Sequence, residues 1–452
     1  MRKRIDGAIQ PGFRWGIFTL RVPLYHTRFE WPDFLQGLVV LAASAVALVP
    51  LMQSAFGLTL EEALACSMIQ LMLIAAGPIL FGDPYAPGWV TPALPITLAF
   101  VMGSYDDPTQ RFQMMTALSL EFALIMLFFG ATGLGQKFVR GLPIALKGGI
   151  ILGASIASFK RVFHDDVDTF LQQPISTTIA LAICLLFAFS KPLAVYASRH
   201  SLLKKISNMG LLPGFVVAGV VGAIVGEMTF KLEWGFLIPP VGDLWQKASP
   251  FQIGWPSLDM FLSCLPLALI VYTIAFGDFI TGEEIIKEAE HDRPDEKIDF
   301  NVSRAHFAIG IRNLLMGVMA PIFPTQGVLL TGMHVVLVQR WRHGREYMDS
   351  LFSGISSFYL LGLPFMFFLL PIVTLLTPLM SIALSVTLVM TGFACAFVAL
   401  SMPQTPEERG VAVLTGVCLA LMEPWLGLLI GVVAAYSLVG LSHGHFLEDP
   451  DE

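Results

Sequence analysis

Two apolar segments of this chain are too short to cross a bilayer as helices, and both are entered through Gly, Pro and Thr. One reads Gly88-Trp89-Val90-Thr91-Pro92 and continues from Ala93 to Met102. The other reads Pro324-Thr325-Gln326-Gly327 and continues from Val328 to Val338. A spanning helix needs roughly 20 apolar residues. Glycine and proline also free backbone groups. At membrane depth such backbone survives only where protein buries it or where it lines a cavity. One broken segment in each half of a membrane protein points to a solute site near the bilayer midplane.

Composition supports that setting. Of 452 residues, 55% are hydrophobic and 13% charged, against about 25% charged in soluble domains. Cys66, Cys184, Cys264, Cys395 and Cys418 all fall in apolar stretches without metal-ligand spacing, so neither disulfides nor a bound transition metal is expected. No His-Glu-x-x-His, Gly-x-Ser-x-Gly or Cys/His cluster supports a membrane enzyme. His164-Asp165-Asp166 and His443-Gly444-His445 are loop and tail residues with poor ligand spacing. No cofactor and no nucleic-acid partner are expected. The first 33 residues are polar or mixed, and no cleavable leader is expected. Residues 13–29 mix aromatics with Arg14, Arg21 and Arg28, which fits either an interfacial segment or a plain polar leader.

The expected fold is an all-α polytopic membrane protein with about fourteen segments. The first half holds 34–52, 62–81, the broken 87–102, 112–130, 142–159, 175–196 and 212–230. The second holds 258–280, 305–322, the broken 324–338, 351–375, 378–400, 411–422 and 424–441. Basic residues set the orientation. With Arg2, Lys3, Arg4, Arg14, Arg21 and Arg28 inside, the clusters Lys137/Arg140, Arg199/Lys204/Lys205, Lys287/Arg293/Lys297 and Arg340/Arg342/Arg345 also fall inside. Lys160/Arg161 is the main exception. Both termini are then cytoplasmic. The organisation read from this pattern is a cytoplasmic segment 1–33, a first repeat 34–230, an extracytoplasmic linker 231–257, a second repeat 258–441 and a tail 442–452. Seven segments per half is odd, so the second half enters from the opposite side. The broken segments stand third in each half, as an inverted repeat requires.

Ionisable side chains inside the bilayer cost roughly 2.5–3.5 kcal/mol each on insertion scales, and so mark candidate function. Asp278 is the foremost, with Thr281 and Gly282 one helical turn on. A carboxylate beside a hydroxyl and carbonyls suits Na+ or, if desolvated, a proton. Glu283 is a further coupling candidate. Lys147 either offers charge to an anion or snorkels to the cytoplasmic face. Glu121 reads as an interhelical contact, and Arg312 with Asn313 as partners of carboxylates or carbonyls. Glu423-Pro424 reads as a turn. The expected substrate contacts are Trp89, Val90, Thr91, Thr273, Ile274, Thr325, Gln326, Gly327 and Val328. Half-helix N-termini there are expected to present unpaired N–H groups and partial positive charge. Trp89 is positioned to stack on a planar substrate or simply to pack.

Leu35-Gln36-Gly37 with Val49-Pro50-Leu51, Gly82-Asp83-Pro84 to Thr91-Pro92, and Leu142-Pro143 to Gly153 occur in this order. Gly310-Ile311-Arg312-Asn313-Leu314-Leu315-Met316-Gly317 and Pro324-Thr325-Gln326-Gly327 follow. Together they resemble the fold shared by uracil permease, the nucleobase–ascorbate transporters and the sulfate permeases. That resemblance implies a core and a gate domain, with substrate between the third and tenth segments beside the eighth. It also implies a homodimer, with Asp278 near the coupling-ion position. The departures bear on substrate. The base-reading glutamates of nucleobase transporters correspond to Ile274 and, in the bacterial uracil type, Val328. Gly37 stands at the usual histidine, and Thr331 near the arginine of sulfate permeases. No cytoplasmic regulatory domain after the last segment is expected.

The reading is a secondary active transporter of a small solute, an anion, coupled to H+ or Na+, in a bacterial inner membrane. Without acidic partners the ring N–H donors of a nucleobase would go unpaired, at about 1–3 kcal/mol each. A nucleobase permease is the alternative, and a passive anion channel a further one.

Overall fold

The computed structural model describes residues 5–37, 48–200, 203, 206, 211–323, 325–361 and 368–440. Arg2 to Arg4, Lys204, Lys205, Pro324, the tail 442–452 and parts of the first and eleventh expected segments lie outside the described residues.

Helices dominate. Those in the apolar segments are α1 Val49–Phe56, α2 Leu60–Ala76, α3 Leu94–Ser104, α4 Pro108–Thr132, α5 Ile144–Lys160, α6 Pro174–Phe189 and α7 Leu212–Val225. There follow α8 Leu258–Glu290, α9 Val302–Met319, α10 Thr331–Arg342, α11 Leu351–Ser356, α12 Met380–Ser401, α13 Pro406–Leu421 and α14 Pro424–Ala434. Among the described residues, four helical stretches are long and apolar enough to span: Leu60–Phe81, Pro108–Thr132, Leu258–Glu290 and Leu370–Ser401. The chain is a helical membrane protein.

Local sequence explains where these helices start and stop. Thr59 accepts the Glu62 N–H while Glu62 accepts the Thr59 N–H, a capping box that opens α2. Thr405 and Glu408 open α13 in the same way. Asp107 caps α4, Pro108 fills its first position, and Gly133 ends it at φ 67°. A turn separates α13 from α14 at Glu423. One boundary moves: α8 continues to Glu290 instead of ending near 280. Asp278 is therefore inside a helix and not at its end.

Packing sorts the helices into two groups that interleave in sequence. In one, α4 packs on α8 and α9, α2 on α1 and α9, and α10 on α8 and α11. In the other, α5 packs on α12 and α13, α13 on α14, and α6 on α7 and α12. Small residues permit the close approaches, as they do where van der Waals packing must hold helices in lipid. A Cβ on Gly149 of α5 would lie 2.5 Å from Thr415 Cβ of α13, and one on Gly310 of α9 would lie 2.7 Å from Leu127 Cγ of α4.

The described residues also contain four short strands, which an all-α expectation misses. They are β1 Ala8–Ile9, β2 Phe13–Trp15, β3 Phe18–Leu20 and β4 Glu296–Lys297. β2 and β3 form a hairpin, and β1 runs parallel to β4. The N-terminal stretch is thus a folded belt, and the plain polar leader does not hold. Arg21 anchors it. Its guanidinium lies 3.7 Å from the Phe352 ring centroid and donates to the carbonyls of Gln10 at 3.3 Å and Gly82 at 3.1 Å. Burial, and then the Arg304 charge, pulls the Arg21 pKa down to about 10, so it remains a cation at neutral pH.

Candidate functional site

The stretches expected to break the third and tenth segments meet as a short antiparallel pair, Trp89 against Gln326. Helix α2 ends in a π turn, Gly77–Phe81, and Gly82 reverses the chain at φ 79°. The backbone then runs non-helical to Val90 before a 3-10 turn, Thr91–Ala93, leads into α3. After α9, a second non-helical stretch leads into α10. Across the pair, Val90 N–H donates to the Thr325 carbonyl at 2.9 Å, Gly327 N–H to Gly88 at 2.8 Å, and Leu330 N–H to Ala86 at 2.8 Å. The first two bonds share one register, and the third is displaced by one residue, as at a β-bulge. Each stretch supplies the partners that the other lacks, as buried irregular backbone requires.

Side chains complete the pairing. Asn313 of α9 treats Gln326 as a neighbouring strand would. Its amide nitrogen donates to the Gln326 carbonyl at 2.8 Å, and its oxygen accepts the Gln326 N–H at 2.9 Å. Arg312 donates to the Gly327 carbonyl at 2.7 Å and to the Ile74 carbonyl at 3.4 Å. Gln326 donates to the Gln70 carbonyl at 3.1 Å, and the Trp89 indole donates to the Gln70 side-chain oxygen. His334 of α10 accepts the Ala86 N–H at Nδ1 (3.2 Å) and faces the Gly282 carbonyl of α8 through Nε2 at 3.1 Å. Those two bonds call for the neutral tautomer protonated at Nε2. Gly88 and Gly327 allow the backbones to meet. A Cβ on Gly88 would lie 2.9 Å from Leu330 Cβ, and one on Gly327 would lie 2.9 Å from Val90 Cγ2.

The expected contact residues separate by exposure. Trp89, Val90, Ile274, Thr325, Gln326, Gly327 and Val328 are buried, whereas Thr91 and Thr273 are partly open. The Trp89 indole N–H is committed to Gln70, so packing accounts for this ring. The 3-10 turn carrying Thr91 touches α5, α8 and α12, and so sits on the seam between the two helix groups. On α8, Leu269, Thr273, Gly277, Ile280 and Glu284 recur at helical spacing as its less buried stripe, with Asp278 and Thr281 beside it. Thr273 and Thr281 donate their hydroxyl protons to the carbonyls four residues back, at 2.9 Å each. Their oxygens then remain as acceptors. Asp278 is half-buried, and no cation or donor among the described residues pairs with it. Glu283, by contrast, pairs with Lys287 at 2.9 Å.

One expectation about donors changes. In the third segment, Thr91 N–H bonds to the Trp89 carbonyl, Ala93 N–H to Val90 and Leu94 N–H to Thr91, while Pro92 and Pro95 have none. The tight turn satisfies its own first donors, so the axial dipole remains there without free N–H groups. Arg312 and Asn313 pair with carbonyls, as expected, and among the described residues touch no carboxylate directly. Glu121 accepts the Cys264 thiol of α8 at 2.9 Å, an interhelical contact. Gln70 and His334 were missed by sequence reasoning. Their signal was there, a polar side chain within each of two mostly apolar runs.

No protein-family model and no curated protein matches the chain. Solved structures do. One is the transmembrane domain of BicA, a cyanobacterium bicarbonate transporter, at TM-score 0.51 and 14% identity. The match covers 90% of this chain and 99% of that one. Another is SLC26A9, at TM-score 0.51 and 13% identity, covering 90% of this chain and 65% of that one. The chain shares the fold of these membrane transporters. It is the fold that its motifs resemble, and at such identity the likeness speaks to fold alone.

Proposed function

We propose that this protein is a secondary active transporter of a small anion. The observation that carries the reading is the crossing pair of non-helical segments, whose turn at Thr91 sits on the seam between two interleaved helix groups. The group of α1, α2, α4 and α8–α11 would be the core, that of α5–α7 and α12–α14 the gate, with α3 between them. Sliding of one against the other would expose the Thr91 turn to each side in turn, a rigid-body scheme common among inverted-repeat transporters.

An anion is favoured on three grounds. The α3 and α10 dipoles present their positive ends near the crossing. The Arg312 guanidinium holds the Gly327 carbonyl, which puts a cation against the pair. The positions where acidic residues would read a nucleobase are the buried, apolar Ile274 and Val328. BicA transports bicarbonate, so that anion is the first to try. Coupling to H+ or Na+ falls to Asp278, with the Thr281 oxygen one turn on. The protein would work as a homodimer in the inner membrane of a bacterium, both termini cytoplasmic.

Purified protein in liposomes, given radiolabelled bicarbonate, sulfate or chloride under imposed pH and Na+ gradients, tests this. Uphill accumulation of an anion that collapses with one gradient is expected. Purely downhill flux would support a channel, and uptake of uracil or xanthine alone would support the nucleobase reading.

A further inference from the structure

The β2–β3 hairpin and the turn that follows it carry an apolar, largely aromatic patch that transport chemistry does not use. Phe13, Trp15, Ile17, Leu24 and Tyr25 are each between 47% and 59% exposed. Every residue from 13 to 17 is exposed, Arg14 included. Soluble surfaces rarely carry such a contiguous patch unless something covers it.

The hairpin's attachment identifies the cover. Trp15 donates its indole N–H to the Leu80 carbonyl at 3.0 Å, and Arg21 N–H bonds to the Ile79 carbonyl at 2.8 Å. Phe18 bridges Trp15 and Phe81, with centroids 4.7 Å and 5.0 Å away. The hairpin is therefore fixed to the last turn of the spanning stretch Leu60–Phe81. On that stretch Ile69, Met72, Leu73, Ala76 and Leu80 form the less buried stripe at helical spacing. This stripe faces away from the helices that α2 packs against, so it faces lipid. The exposed aromatics continue that lipid-facing stripe just beyond its end. Trp and Tyr favour this level of a membrane, and a basic residue beside them favours an anionic leaflet.

We infer that the Phe13–Ile17 hairpin tip is a membrane foot, inserted in the cytoplasmic headgroup zone at the end of α2. It binds a lipid surface containing anionic headgroups, through Phe13, Trp15 and Ile17 with Arg14. Because β1 pairs with β4 and Arg21 stacks on Phe352, the foot is rigidly joined to the α8–α11 side of the molecule. This inference does not depend on the transported solute.

The test uses the full chain in nanodiscs of mixed phosphatidylcholine and phosphatidylglycerol. Ile17→Cys carries an environment-sensitive fluorophore, and Glu346→Cys, on an exposed cytoplasmic loop, is the control. Four of the native cysteines are buried, and Cys418 is partly so. The label at position 17 should emit to the blue of the control. Lipids brominated near the glycerol end of the acyl chain should quench it several-fold more strongly. Trp15→Ala, which removes an exposed ring and the tie to Leu80, should weaken that quenching. Equal quenching at positions 17 and 346, with free access of iodide to both, would overturn the inference. So would crosslinking of position 17 between two copies in place of lipid quenching.

Discussion

Asn313→Leu isolates the side chain that holds the tenth segment in place. Asn313 is fully buried and makes two of its three hydrogen bonds to the Gln326 backbone. Leucine has similar volume and makes none of them. The Ile309 carbonyl, already inside α9, loses little. Gln326 would keep a buried N–H and a buried C=O without partners, at about 1–3 kcal/mol each. The sum, roughly 2–6 kcal/mol, is a large share of the 5–15 kcal/mol that typically separates native from unfolded protein. Asn301→Ala on the same helix is the control. It removes a cap on the Arg304 N–H at 2.8 Å, should cost about 0.5–2 kcal/mol, and touches neither crossing segment. Thermal unfolding, hydrogen exchange across residues 320–330 and tracer uptake read the outcome. Both variants should melt earlier, Asn313→Leu more so. Only Asn313→Leu should raise exchange at 325–328 and cut uptake by about tenfold or more, since small misplacements of a site cost that much. Wild-type exchange and uptake in Asn313→Leu would refute the reasoning. So would an equal loss of uptake in Asn301→Ala.

Three further outcomes follow from the same geometry. Gly88→Ala and Gly327→Ala each force a Cβ to 2.9 Å from a facing side chain. Overpacking of this kind costs about 1–3 kcal/mol, visible as a lowered melting point, and Thr91→Trp or Gly327→Trp should block uptake outright. Normal transport in both tryptophan variants would remove the crossing from the mechanism. Asp278→Asn should leave the melting point near wild type and abolish the pH or Na+ dependence of uptake, so an unchanged dependence would move coupling elsewhere. Arg21→Lys keeps the charge and loses the planar fork that reaches two carbonyls while stacking on Phe352. Protease cleavage within residues 5–30 should rise several-fold, and an unchanged cleavage pattern would show that the belt is held by other contacts.

The sequence by itself determined the membrane setting, most of the apolar segments and the special status of the two short ones. Those properties are local. Apolar run length, Gly and Pro punctuation, and caps such as Thr59/Glu62 act within a few residues and read out directly. It also singled out Asp278, because a carboxylate inside an apolar run has no local explanation. What faces what was decided by tertiary structure. Buried seats for Trp89 and Gln326 depend on Gln70, hundreds of residues from Gln326 in sequence. The seam at Thr91 exists only because α8 and α12, distant in sequence, reach the same turn. The first donors of the third segment vanish into a 3-10 turn that no composition announces. Residues 13–29 were open to two readings because the contacts that hold them, Trp15 on the Leu80 carbonyl and Arg21 on Phe352, join parts far apart in sequence. Non-local hydrogen bonds connect residues whose separate sequences carry no trace of one another, and those bonds shape this site.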